Sequence, residues 1–158
     1  MMKIQKALVC VDLSDYSKIT IDYALTLTGG LVTRLEVLNV INSRDVEAVR
    51  SASRYYPGQI NVENYLKEAK ADRYKRTHEM IKQYFSSDMT QVNILIRVGI
   101  PFKEILSTIK EEKVDLVIIG NKGRGNALGT LFGSNAEKVF RHSPVPVLSV
   151  RDRTQFSR

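Results

Sequence analysis

Short apolar runs that do not alternate with polar residues constrain this chain most. Ala7-Leu8-Val9-Cys10-Val11 is unbroken, and a strand apolar at every position has to be covered on both faces, as in a parallel sheet flanked by helices. Similar runs recur at Leu35-Glu36-Val37-Leu38-Asn39-Val40, Val92-Asn93-Ile94-Leu95-Ile96-Arg97-Val98, Leu116-Val117-Ile118-Ile119 and Val147-Leu148-Ser149-Val150. Helical periodicity fills the gaps. Ile21, Ala24, Leu25 and Thr28 share one helical face, and Gly29-Gly30 is expected to end it. A polar helix is expected over about 62–85, with Leu66, Ala69, Met80, Ile81 and Tyr84 at helical spacing. Gly99-Ile100-Pro101 opens a third helix with a stripe at Phe102, Ile105, Leu106 and Ile109. A short fourth, 134–142, should bury Ala136, Val139 and Phe140. Over 42–61 the periodicity fades around Pro57-Gly58, which reads as a long loop.

Five strands alternating with four helices define an α/β fold, a Rossmann-like single domain. It is a doubly wound five-stranded parallel sheet with helices on both faces, and right-handed crossovers favour strand order 3-2-1-4-5. The 158 residues suit one domain, expected over 1–151 with a polar tail at 152–158. In that order strands 1 and 4 are neighbours and the direction of winding switches between them. Such sheets bind ligands beyond the carboxyl ends of the strands at the switch point. The segments emerging there are Asp12-Leu13-Ser14 and Gly120-Asn121-Lys122-Gly123.

The second of these begins a glycine-rich loop, Gly120 to Ser134. Glycines let a backbone approach phosphate oxygens and turn N–H groups toward them. Gly133-Ser134-Asn135 then opens a helix, whose first N–H groups are unpaired and whose dipole favours an anion. Ser134 adds a hydroxyl, and Lys122 and Arg124 add charge. The plainer reading is a surface loop in which Ser134 only caps its helix; placement after a buried strand at the switch point favours phosphate. Neither G-x-G-x-x-G after the first strand nor G-x-x-x-x-G-K-[ST] occurs, which argues against a dinucleotide dehydrogenase and a P-loop NTPase.

A formal charge of +7 and a pI near 9.6 point to an anionic partner. The Lys and Arg residues are spread along the helices and the chain has no tryptophan, so a nucleic-acid surface is not expected. No run approaches the ~20 apolar residues of a membrane helix, and no signal segment precedes the first strand. Cys10 stands alone, which excludes an internal disulfide and, with no Cys/His cluster, a zinc site; a cytoplasmic protein is expected. His78 reads as a solvated side chain, and His142 as a helix-end residue.

Gly120-x2-Gly123-x9-Gly133-Ser134, then Glu137-Lys138-Val139 and Arg141-His142-Ser143-Pro144-Val145-Pro146-Val147-Leu148, resembles the universal stress protein family, in particular its ATP-binding branch. Val11-Asp12-Leu13-Ser14 and Leu38-Asn39-Val40 match the family pattern too, so the resemblance covers nearly the whole chain. It implies that Asp12 lies beside the nucleotide and helps hold Mg²⁺, and that Val40 contacts adenine. Ile119 and Gly120 would line the ribose and phosphate side, and Gly123, Gly133, Ser134 and Asn135 would bind phosphates. Asn39 stands where the family often has histidine, and Asn135 where valine is common; neither change removes a phosphate donor. The function implied is an ATP-binding regulatory or stress-response module, with a slow ATPase as the alternative, since no general base is evident. A homodimer joined along strand 5 is expected from the apolar edge after Pro144 and Pro146, as the resemblance also implies.

Overall fold

The apolar runs become five strands, all parallel. The computed structural model describes residues 4–31, 34–84, 92–122 and 133–152. The strands are β1 (Lys6–Val11), β2 (Arg34–Asn42), β3 (Val92–Gly99), β4 (Leu116–Gly120) and β5 (Val147–Val150), ordered β3-β2-β1-β4-β5 as the winding argument requires. β1 lies between β2 and β4, with Val9 opposite both Val37 and Ile118.

Among the described residues, five helices cover the sheet: α1 (Asp15–Leu31), α2 (Ser43–Tyr55), α3 (Val62–Lys82), α4 (Pro101–Glu111) and α5 (Ser134–His142). Strand side chains alternate between two cores. Val9, Val37 and Ile118 pack with Ile21 of α1 and Met80 and Ile81 of α3 on one face. Leu8, Leu38 and Val117 pack with Ile105 and Ile109 of α4 and Val139 of α5 on the other. Ala7, Leu8, Val117 and Ile118 have no exposed surface, which explains why these strands read as unbroken apolar runs; each large one adds about 2 kcal/mol of burial. The charged member of β2, Glu36, is buried against Lys6 Nζ at 3.6 Å and accepts the Asn93 amide at 2.7 Å.

Four expectations are corrected. The segment 42–61 is not a loop throughout: Asn42 Oδ1 accepts the Arg44 N–H at 3.0 Å and starts α2. This helix buries only Val46, so its sequence carries almost no apolar period. Gly29-Gly30 does not end α1, which continues to Leu31. The polar helix stops at Lys82, and Tyr84 beyond it is exposed. Phe140 is 62% exposed, because Ala136 and Val139 already fill the inward stripe of α5. Residues 123–132, hence Gly123 and Arg124, and most of the tail (153–158) lie outside the described residues.

A glycine-capped helix end at the switch point

At the carboxyl end of β1, Asp12 builds a tight turn. Its Oδ1 accepts the Ser14 N–H at 3.0 Å, the Ser14 hydroxyl at 2.5 Å and the Ser17 hydroxyl at 2.8 Å. Ser17 Oγ in turn accepts the Asp12 N–H at 3.0 Å. The turn holds Leu13 at φ 63°, a left-handed conformation that costs a branched side chain about 1 kcal/mol or more. Leu13 packs on the α1/α3 core. Of the three residues expected here, only Asp12 lines the cleft beyond the strand ends; Leu13 and Ser14 are not among its described lining residues.

Across from Asp12, β4 ends at Ile119 and Gly120, both on the cleft wall with Lys122. A Cβ on Gly120 would stand 3.1 Å from Thr20 Oγ1 and 3.2 Å from the Lys122 carbonyl oxygen, so a larger residue here would require Thr20 or the Lys122 backbone to give way by a few tenths of an ångström. Asn121, 6% exposed, then ties the glycine loop at its neck. Its N–H donates to Val150 O at 2.9 Å, and its carbonyl accepts the Gly133 N–H at 2.8 Å. These bonds bring Gly133 back beside the residue where the loop leaves the sheet and fix the start of α5 at the cleft.

Gly133 is the N-cap of α5, with φ −68° and ψ 144°. Ser134 is therefore the first helical residue and not the cap. α2 and α3 close their own N-termini with Asn42 and Asn61. Among the described residues no side chain caps α5. Glu137 N–H begins the intrahelical ladder on Gly133 O at 3.0 Å, which leaves the N–H groups of Ser134, Asn135 and Ala136 outside that ladder. All three residues and Gly133 line the cleft. α4 also begins at this rim, but with Pro101, which has no N–H to offer.

The cleft has a volume of about 370 Å³. Its floor is apolar, from Cys10, Leu38, Val40 and Ile105. Burial pushes the Cys10 thiol up to about 12, so it is a neutral floor residue at physiological pH and not a nucleophile. Among the described residues, no group of three or more His, Cys, Asp or Glu side chains is placed to hold a metal ion. The donor set at Asp12 still fits Mg²⁺, which is commonly held by one or two carboxylates, substrate phosphates and water.

The structure thus brings together Asp12, Val40, Ile119, Gly120, Lys122, Gly133, Ser134 and Asn135 from the sequence expectation. Tyr16, Ser17 and Thr20 of α1, with Pro101 and Ile105 of α4, join them. Their signal was available, because helices that follow strands of a parallel sheet begin at this rim. Asn42, Asp45 and Arg73 also line the cleft. Asp45 carried no readable signal, since the helix that follows β2 was not apparent. Arg73 lies on the expected polar helix α3, but nothing in that helix's spacing marks one basic residue among many as facing the cleft.

A doubly wound parallel sheet with a glycine-led helix N-terminus that no described side chain caps, set over its β1/β4 switch point, defines a Rossmann-like α/β protein with an anion-receptive cleft. The chain belongs to the universal stress protein family, whose model matches residues 3–151. It is 28% identical over 153 residues to universal stress protein MJ0577 of Methanocaldococcus jannaschii, covering 93% of this chain and 94% of that one. The solved structure of MJ0577 superposes with a TM-score of 0.74 at 25% identity, over 96% and 98% of the two chains. Universal stress protein YxiE of Bacillus subtilis is 29% identical over 146 residues, 92% and 98% of the two chains. A universal stress protein solved in complex with cAMP shares the fold, with a TM-score of 0.58 at 22% identity over 95% and 98%.

Proposed function

We propose that this protein binds ATP in the switch-point cleft and works as a nucleotide-dependent regulatory module of the stress response. The observation that carries this reading is the open N-terminus of α5. Three N–H groups outside the helix ladder and a helix dipole face a cleft whose opposite wall holds Asp12. Phosphates lie against Gly120, Gly133, Ser134 and Asn135, with Lys122 and, from the glycine loop, Gly123 and Arg124 adding donors. Asp12 holds Mg²⁺ against them through a carboxylate whose Oδ1 is already oriented by Ser14 and Ser17. The base rests on the apolar floor at Val40. That a relative of this fold has been solved with cAMP agrees with a nucleotide-sized cleft.

Hydrolysis is at most slow in this reading. Of the acids described on the cleft wall, Asp12 has its Oδ1 already taken by three donors and Asp45 stands at the β2 end, away from the phosphates. The lone thiol stays protonated. The protein is proposed to be cytoplasmic; no helix among the described residues is long and apolar enough to cross a membrane. It is also proposed to dimerise through β5, the last strand of the sheet. Chromatography of the supernatant after denaturing freshly purified protein, and ATP titration of the nucleotide-free form, test the reading. Bound or titratable ATP is expected; a protein that neither retains nor takes up nucleotide would refute it.

A further inference from the structure

The α2–α3 hairpin contributes two charged residues to the cleft that the phosphate end does not use. α2 leaves β2 directly after Asn42 and is seated by Val46, 6% exposed, beside Asp45 in its first turn. α3 is anchored on the sheet by Thr77, Met80 and Ile81. Arg73 lies four residues before Thr77, on the same helical face, and both it and Asp45 line the cleft. Both charges therefore sit on elements held by the core.

Their position in the sheet assigns them an end of the ligand. Phosphate groups belong at β4 and α5. Asp45 follows β2, and β1 separates β2 from β4. Two strand spacings put the β2 end about 10 Å from the β4 end, which matches the reach from a nucleotide's first phosphates to its base. Resting on the nucleotide-binding reading above, we propose that Asp45 selects the nucleobase, accepting the exocyclic amine of adenine, and that Arg73 balances its charge. A carboxylate is an acceptor only. It pairs with the adenine N6 amine and repels the guanine O6 at the same place. An uncompensated carboxylate in the same cleft, even about 10 Å from a polyphosphate, would also weaken every phosphorylated nucleotide. Arg73 offsets this: the charged residues described on the wall, Asp12, Asp45, Arg73 and Lys122, sum to zero.

Calorimetric titration of the wild type, Asp45→Ala, Asp45→Asn and Arg73→Gln with ATP, GTP and adenosine tests this, with circular dichroism to verify folding. The wild type should prefer ATP over GTP by about tenfold or more, the scale of a hydrogen bond to a charged group. Asp45→Ala should erase the preference mainly by weakening ATP. Asp45→Asn, whose amide can donate to guanine O6, should erase it mainly by strengthening GTP. Arg73→Gln should weaken ATP and GTP alike, several-fold and more than adenosine, with their ratio kept. An ATP-to-GTP ratio unchanged by both Asp45 variants, while the wild type still binds ATP, overturns the inference and leaves nucleotide binding standing. Equal loss of ATP and adenosine in Arg73→Gln overturns the charge-balancing role. A wild type that binds none of the three overturns both readings.

Discussion

Replacing Gly133 with Asp should abolish nucleotide binding without harming the fold. Gly133 occupies the N-cap of α5 at φ −68° and ψ 144°, an extended conformation that aspartate adopts without strain. Asp is a preferred N-cap, better than Gly by a few tenths of a kcal/mol, and a carboxylate at a helix N-terminus contributes about 0.3–1 kcal/mol more. In a chain of this size the melting temperature should therefore hold or rise by about 1–3 °C. The new carboxylate would take up N–H groups of Asn135 and Ala136 and stand where a phosphate belongs. At a separation of about 5 Å and an effective dielectric near 20, one such repulsion is about 3 kcal/mol, more than a hundredfold in affinity. Calorimetry with ATP measures the loss. Thermal melts measure the fold, and wild-type stabilisation of about 2.7 kcal/mol at a hundredfold excess of ATP over its dissociation constant should vanish in the mutant. Unchanged affinity in a folded Gly133→Asp protein would refute the phosphate role of α5.

Three other outcomes are expected. Asp12→Asn keeps an oxygen to accept from Ser14 and Ser17 but loses the charge, so ATP affinity should fall about tenfold further with Mg²⁺ than with a chelator; equal losses would leave Asp12 a turn residue only. In β5, the carbonyls of Pro146 and Val150 bond toward β4, so by alternation Val147 and Ser149 face the outer edge. Ser149→Pro should shift a sedimenting dimer toward monomer, and a wild type that sediments as a monomer at micromolar concentration would exclude the β5 dimer. The Cys10 thiol should resist alkylation in the folded protein near neutral pH. Its folded value near 12 lies above the ordinary 9.0, so the unfolded thiol ionises first and stability should fall as pH rises from 9 toward 12. Denaturation midpoints compared with those of Cys10→Ala check this; a difference between the two proteins that does not depend on pH would contradict it.

Strand order was legible because β1, β4 and the core of β2 are covered on both faces, and such burial writes itself as runs without alternation. The phosphate end was legible for the same reason that it functions: glycines and a helix start must follow a buried strand there. α2 was not legible, since a helix that buries one side chain leaves no period, and Asp45 was lost with it. Arg73 sits on the legible helix α3, where a polar face gives no sign of which cation meets the cleft. The placement of the Leu13 side chain was not legible: the Asp12 turn sets Leu13 at positive φ, and its side chain packs on the α1/α3 core. Phe140 fits the sequence stripe of α5, yet Ala136 and Val139 alone face the sheet.

The most direct test of the central claim is a backbone amide map recorded by nuclear magnetic resonance as ATP and Mg²⁺ are added. The largest shifts should fall on the N–H groups of Ser134, Asn135 and Ala136, with smaller ones at Asp12, Val40 and Gly120. Saturable shifts that leave the start of α5 unmoved would contradict the account.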